Sequence, residues 1–472
     1  MTNWVRGARF VLLAAMTSVA VGAWTQDTAS AQGQAPAGYA ITGVTVIDVE
    51  TGTAAADQTV VVTGERIVQV GPRARVAPPA RHTTIDGRGF FLIPGLIDAH
   101  VHYFDPPVFG RALLANGVVL VREMGQANDT VLPLRQALNA GAMLGPEMVA
   151  TGWILDGDPP FIPQTSRGVK TVEEARAAVR QQAAAGVDEI KVYSRLEKDV
   201  FLAIVDEAKR AGLKPVGHVP EAVYIEEAAA AGLASIEHVH IGFDKLLGKL
   251  LDAPITLKPG GMANDIEYFL RLDHVDAARL REALGRIRVT GAVVCPTAIV
   301  LKAQSGDLSS PALPRREYVS PAVQAIWSAF WKPAQRADFE RLWPPAAALV
   351  RALHDAGVPL MVGTDLVTPG IIPGFSVHDE MALWQDAGIP AADVLRSATL
   401  VPARFLGKAD RLGTIAAGKA ASLVLVRGNP LEDIGNAARI ESVFLRGRYF
   451  RRADLDRMLE EARAAAVPRG AR

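Results

Sequence analysis

The chain is an α/β protein by its sequence: a TIM-like (β/α)8 barrel with a small β-sandwich formed from both chain ends. Three observations lead there. Eight short apolar strand candidates recur between residues 91 and 412, and amphipathic helical stretches separate most of them. Both ends instead carry two-residue alternation. Strand–helix repetition implies parallel pairing, and eight such units close naturally into a barrel.

The first residues read "MTNWVRGARFVLLAAMTSVAVGAWTQDTASAQGQ", with Arg6 and Arg9 ahead of an apolar run from Phe10 to about Ala23. Ala29, Ser30 and Ala31 supply small residues for cleavage. That layout is a signal peptide over 1–31, and its apolar run is shorter than the about 20 residues of a membrane span. It predicts an exported protein, periplasmic or extracellular, with no stable membrane insertion once the signal is removed.

"YAITGVTVIDVETG", "QTVVVTGERIVQVG" and "HTTIDGRGFFLIPG" then alternate with period two between turn residues, the pattern of short antiparallel strands. The texture returns in "GTIAAGKAASLVLVRGNPLEDI" and "IESVFLRGRYF". Residues 38–90 and 413–452 therefore form one composite sandwich, and 453–472 a helical tail.

Within 91–412 the strand candidates are "GLIDAHVH", "GVVLVREMG", "PEMVATGWI", "DEIKVYSR", "KPVGHVP", "ASIEHVH", "AVVCPTA" and "PLMVGTD". The helical stretches "TVEEARAAVRQQAAAG" and "KDVFLAIVDEAKRAG" both end on glycine, the residue that best closes a helix. Two connections, 242–291 and 303–344, exceed what a barrel needs. The second follows strand seven and is rich in Pro and Trp. It reads either as a lid or pocket wall, or as a surface elaboration packing its own tryptophans.

Lys+Arg and Asp+Glu balance at 50 each, with no basic run interleaved with aromatics, which argues against a nucleic-acid partner. The single cysteine, Cys295, rules out an intramolecular disulfide and a cysteine-based metal site; in "AVVCPT" it reads as a buried structural residue.

Chemistry gathers at the strand ends. Strand one ends on His100 and His102, strand four carries Lys191, strand five His218, strand six His238 and strand eight Asp365. Alternate side chains of a strand share a face, so both imidazoles of His-x-His point one way, their Cα atoms about 7 Å apart. A lone histidine is ordinarily a core or surface residue, and His82, His274 and His354 read that way. Four histidines and an aspartate at one end of successive strands read as a metal site, and neutral imidazole with carboxylate suits Zn or another divalent first-row ion. Lys191, between Ile190 and Val192, points into the barrel. An ammonium beside a dication is repelled, so Lys191 either lines the mouth or loses its proton and takes up carbon dioxide. The resulting carbamate has two oxygens and can bridge two ions about 3.5–4 Å apart.

"PGLIDAHVH", "IKVY", "GHVP", "SIEHVH", "VGTD" and the tail "GTIAAGKAASLVLVRGNPLEDI" together resemble the metal-dependent amidohydrolase superfamily. The likeness is to the branch of imidazolonepropionase-like proteins and binuclear prolidase-like peptidases, over roughly 40–450. It implies two divalent ions. His100, His102 and Asp365 would hold one, His218 and His238 the other, and N6-carboxylated Lys191 both. Single-metal relatives lack a lysine at strand four, so Lys191 favours the binuclear form. Two positions depart from the pattern: Glu123 and Ser422 stand where relatives usually show aspartate.

Two ions sharing a water lower its pKa from about 15.7 toward about 7, and Asp365 is the expected general base. Four further residues are placed as substrate contacts. Tyr193 shares the face of Lys191, and His240 that of His238. His378 lies in "PGFSVHDEM" after strand eight, and Arg122 ends strand two. Tyr193 reads equally as a barrel-wall residue, and Arg122 more readily as half of a structural ion pair. The function implied is an exported amide hydrolase acting on a small molecule or dipeptide, such as Xaa-Pro, or on an N-acyl amino acid. Lactone, carbamate or phosphotriester hydrolysis is the alternative on the same dimetal site, and a non-catalytic exported metal-binding protein the alternative of another class. Homo-oligomerisation is left open.

Overall fold

The computed structural model describes residues 38–251, 267–310 and 312–467. The expected signal peptide over 1–31, the last five residues of the tail and part of the 242–291 connection lie outside them.

The chain opens with β1 (Gly38–Asp48), β2 (Thr53–Thr63), β3 (Arg66–Pro72), β4 (Thr83–Asp86) and β5 (Phe90–Pro94). The central strands follow: β6 (Leu96–Val101), β7 (Val118–Glu123), β8 (Glu147–Ala150), β9 (Ile154–Asp156), β10 (Ser166–Gly168), β11 (Glu189–Val192), β12 (Lys214–Gly217), β13 (Ser235–Glu237) and β14 (Val293–Cys295). Those nine form two parallel sheets, β6-β7-β8 and β10-β9-β11-β12-β13-β14. Single backbone bonds join the sheets: Asp188 N–H reaches the Ala150 carbonyl at 2.9 Å. On the far side, residues 359–366 lie between β14 and β6. Met361 N–H donates to Val294, Ala99 N–H to Val362 and Asp365 N–H to His100, all at 2.8–2.9 Å. The arrangement is a TIM-barrel-like α/β fold whose strand C-termini share one end.

The eighth strand expected at "PLMVGTD" appears as isolated bridges rather than a ladder. The cause is local. Thr364 gives its backbone N–H (2.9 Å) and hydroxyl (2.7 Å) to the buried Asp98 carboxylate instead of a neighbouring strand, and Asp365 takes a positive φ of 57°.

The helices follow their sequence signals. Helix Val172–Ala185 starts in a capping box between Thr171 and Glu174 and stops at Gly186, φ 82°. Helix Lys198–Arg210 buries Val200, Phe201, Ile204, Val205 and Ala208, a stripe at helical spacing. Among the described residues no helix is long and apolar enough to cross a membrane.

The two chain ends meet in one eight-stranded mixed sheet. The late strands are β15 (Leu423–Arg427), β16 (Ile440–Leu445) and β17 (Arg448–Arg451), in the order β17-β16-β15-β5-β1-β2-β3 with β4 also on β1. The ends join where Leu423 pairs with Pro94 and Leu425 with Leu92. Ile41, Val60, Leu92, Leu423 and Phe444 share the core beneath. The tail helix Arg452–Ala466 packs on helix Pro106–Ala115, tied by Arg111 to Glu461 at 2.8 Å.

In the 303–344 connection Trp327 and Trp331 are buried, and their indole N–H groups donate to the Val367 and Gln304 carbonyls. The segment thus packs its own tryptophans and also pins the loop two residues past Asp365.

Leu423→Ala removes a fully packed side chain at the junction of the two chain ends and should cost about 2–5 kcal/mol. Denaturant unfolding measures it, and an unchanged midpoint contradicts an integral terminal sheet.

Candidate metal centre

His100 and His102 leave β6 on one face, and Asp365 arrives from the adjoining segment. Both imidazole Nε2 atoms stand 3.4 Å from Asp365 Oδ1. Donors set tetrahedrally around an ion at about 2.0–2.2 Å are about 3.3–3.6 Å apart, so this spacing is that of three ligands sharing one ion. Their ligand atoms form a cluster within 4.8 Å.

The second half of the cluster is built by His218, just after β12, and His238, just after β13. Their rings lie 4.6 Å apart, and His238 is 4.8 Å from His100. All four expected histidines therefore converge. Each also has its Nδ1 engaged from behind: His100 by Glu237 at 2.8 Å, His102 by the Gly125 carbonyl at 3.3 Å, His218 by Ser194 Oγ at 3.0 Å, His238 by Thr297 Oγ1 at 2.7 Å. A hydrogen bond at one ring nitrogen sets the tautomer and leaves the other to ligate. Among the described residues the buried Nε2 of His100 has no hydrogen-bond partner.

Lys191 is fully buried, and its Nζ has no hydrogen-bond partner among the described residues. Burying such a donor unpaired costs about 1–3 kcal/mol, more when charged. Burial pulls its pKa down to about 8, against the pull of Glu237 and Asp365. Burial, with the Lys191 amine, lowers His100 to about 4 and holds His218 well below the imidazole range; burial also holds His238 there, against Asp365. Burial raises Asp365, but the surrounding imidazoles outweigh it and keep the carboxyl well below its usual range. Neutral imidazoles, a carboxylate and an unpaired amine fit a pair of divalent cations.

Beneath the cluster lies a buried ion network. Arg122, with no exposed surface, donates to Glu189 (2.6 Å), Glu237 (3.0 Å) and Ser235 (2.8 Å). Arg122 is thus a structural ion-pair residue, enclosed below the site, and does not face a substrate. Burial raises the Glu237 carboxyl, yet Arg122 and His100 bring it far below the ordinary range.

The other expected contacts divide. Tyr193 stacks on His218, centroids 3.9 Å apart at 28°, at the rim of the cluster. The His240 ring stands 5.7 Å from that of His238, and its Nδ1 has no hydrogen-bond partner among the described residues. His378 hydrogen-bonds through Nε2 to the Asn116 carbonyl at 2.9 Å. Asn116 precedes the start of β7, the end opposite Glu123, so His378 is engaged in helix packing and not in the cluster.

Glu237, Thr297, Ser194 and Asp98 were not among the expected site residues. Glu123, treated above only as a departure from pattern, is buried near His102 and Lys191; burial lifts its carboxyl to about 7 against their pull. Cys295 is buried as expected, but its Sγ joins His100 and Glu237 ligand atoms within 4.8 Å, so a single cysteine did not place sulfur away from candidate ligands. The direct His100–Glu237 hydrogen bond at 2.8 Å fills that trio without an ion.

Glu237→Gln keeps shape but removes the anion behind His100. Zinc affinity, measured by competition with a chelator, should fall about 10- to 100-fold; unchanged affinity contradicts the supporting role. In metal-free protein, native Lys191 is neutral above about pH 8 while the unfolded lysine stays charged to about 10.5. The unfolded state binds more protons in that window, so this group's contribution rises with pH from 8 to 10.5. The stability difference between wild type and Lys191→Met should shift in favour of wild type across the window; a flat difference contradicts the buried neutral amine.

Residues 91–449 match the model of the amidohydrolase family. The adenine deaminase of Desulforamulus reducens is 25% identical over 266 residues, 53% of this chain and 44% of that one, so the chain spans less than half that relative's length. The imidazolonepropionase of Chloroflexus aggregans is 25% identical over 401 residues, 78% of this chain and 84% of that one. The solved bottromycin amidohydrolase superposes with TM-score 0.74 at 28% identity, covering 91% of each chain. A prolidase complexed with N-methylphosphonate-L-proline gives 0.65 at 25% identity, covering 88% of this chain and 99% of that one. With three quarters of its length matched and the histidine, lysine and aspartate cluster assembled, the chain belongs to the amidohydrolase family.

Proposed function

We propose that the protein is a binuclear metal-dependent hydrolase of amide bonds in a small substrate, a dipeptide such as Xaa-Pro or an N-acyl amino acid. One observation carries this: four clustered imidazoles are each held from behind at Nδ1, two of them with Nε2 3.4 Å from Asp365 Oδ1, beside a buried amine with no hydrogen-bond partner among the described residues. His100, His102 and Asp365 would hold one ion, and His218 and His238 the second; Lys191, as a carbamate, would serve both. When bound, two divalent ions, zinc being suited to these donors, supply an acidified water and polarise the scissile carbonyl.

The protein's own residues do the rest. Asp365, kept anionic by the imidazoles, accepts the proton of the attacking water and delivers it to the departing nitrogen. Its fixed place follows from the Asp365 N–H bond to His100 and the Thr368 hydroxyl donated to its Oδ2 at 2.8 Å. Tyr193 and His240 flank the cluster and orient the substrate. The choice of amide substrates is supported by the prolidase and bottromycin amidohydrolase likenesses.

We further read residues 1–31 as an export signal, which places the activity outside the cytoplasm. The two parallel sheets with residues 359–366 we read as one closed barrel domain over 91–412, and the terminal sheet over 38–90 and 413–452 as folding into a sandwich.

Metal-reconstituted protein, assayed on dipeptides, N-acyl amino acids, lactones and organophosphates, should turn over the amides first. Asp365→Asn should lower kcat about 100- to 10,000-fold with metal largely retained. Near-normal turnover in Asp365→Asn contradicts the base, and turnover confined to lactones or organophosphates contradicts the amide reading.

A further inference from the structure

Beside the cluster, an aromatic ladder runs from His218 to the protein surface. Tyr193 stacks on His218 at 3.9 Å, Phe161 tilts against Tyr193 at 6.1 Å and 34°, and the Arg195 guanidinium lies 5.1 Å over Phe161. Phe161 is one of the few large apolar side chains left exposed, at 44%.

It is nonetheless held in place. The buried Asp156 at the end of β9 accepts the Phe161 N–H at 2.7 Å and the Arg195 N–H at 2.8 Å, one on each carboxylate oxygen. Arg195 Nη1 in turn donates to the Pro159 carbonyl at 3.1 Å. The loop between β9 and β10 is therefore fastened to the segment that leaves β11 just past Lys191 and Tyr193. A phenyl ring ordered there and left in water gains little from burial in the free protein. Ligand sites pair such apolar walls with a few polar groups, and this ring continues the wall begun by Tyr193 at the mouth.

We propose that Phe161 is the specificity wall of the site, receiving an aromatic or large apolar side chain of the amide substrate. Arg195 and Asp156 are positioning residues that hold the ring. The inference rests on the amide-hydrolase reading for its substrate and deepens it by naming the side-chain class.

The test measures binding to zinc-loaded protein by calorimetry, using N-methylphosphonyl-L-phenylalanine and N-methylphosphonyl-L-alanine as probes. Wild type should bind the phenylalanine analogue about tenfold tighter. Phe161→Ala should erase that preference, and Phe161→Tyr should keep it, with zinc content equal in all three. Equal affinities in wild type, a preference that survives Phe161→Ala, or no binding of either analogue overturns the proposal. Turnover of amides without the preference sinks this wall and spares the hydrolase reading, whereas the preference without turnover does the reverse.

Discussion

Arg122 lies wholly buried among the parallel strands and ties four of them together. Its guanidinium donates to Glu189 on β11, to Ser235 and Glu237 on β13, and at 3.4 Å to the Ala99 carbonyl on β6, while its own backbone belongs to β7. Enclosing charge in this way costs several kcal/mol per ion unless every donor is met, and here each Arg122 nitrogen has a partner. The network ends on His100: Glu237 offers Oε1 to Arg122 and Oε2 to the imidazole. The parallel strands below and the ligand cluster above are therefore linked by one carboxylate.

The cluster itself is held by hydrogen bonds from behind and by backbone strain. His238, Thr297, Asp365 and Val367 all adopt positive φ without being glycine. Such conformations cost on the order of 1–3 kcal/mol each and persist where surrounding structure imposes them. Two are proposed ligands, one holds a ligand's Nδ1, and one accepts the indole N–H of Trp327. Core packing offsets that cost. Lys191 adds a second unfavourable feature, a buried amine with no hydrogen-bond partner among the described residues, which carbamate formation and shared ligation would convert into a satisfied anion.

Much of this was legible in the sequence, and the remainder was hidden for physical reasons. His100, His102, Lys191 and Tyr193 obey strand alternation, so their direction could be read directly. Glu237 sits inside the motif "SIEHVH" beside His238, where alternation assigns neighbours to opposite faces; the positive φ of His238 turns both inward. Ser194 and Thr297 act across strands, which spacing alone does not reveal. Arg122 was open between two readings, and only the arrival of Glu189 and Glu237 from distant strands decided it. His378 lies just after the eighth strand position, as a substrate contact would, yet its helix turns it to Asn116. The eighth strand carried the right residues but lost its ladder because Asp98 captured the Thr364 amide. The alternating runs at the two ends were recognised as partners, and their pairing is one continuous mixed sheet.

The ladder from His218 through Tyr193 to Phe161 connects this interior to substrate choice, since the ring that packs on a proposed ligand also forms the pocket's rim. The central claim is that two ions share a carboxylated Lys191 among the four Nε2 atoms and Asp365. Anomalous diffraction from crystals grown with zinc and bicarbonate addresses it most directly. Two zinc peaks should appear, one by His100, His102 and Asp365 and one by His218 and His238, with carbamate density on Lys191 Nζ between them. A single peak, or two peaks with Lys191 a free amine, would contradict it.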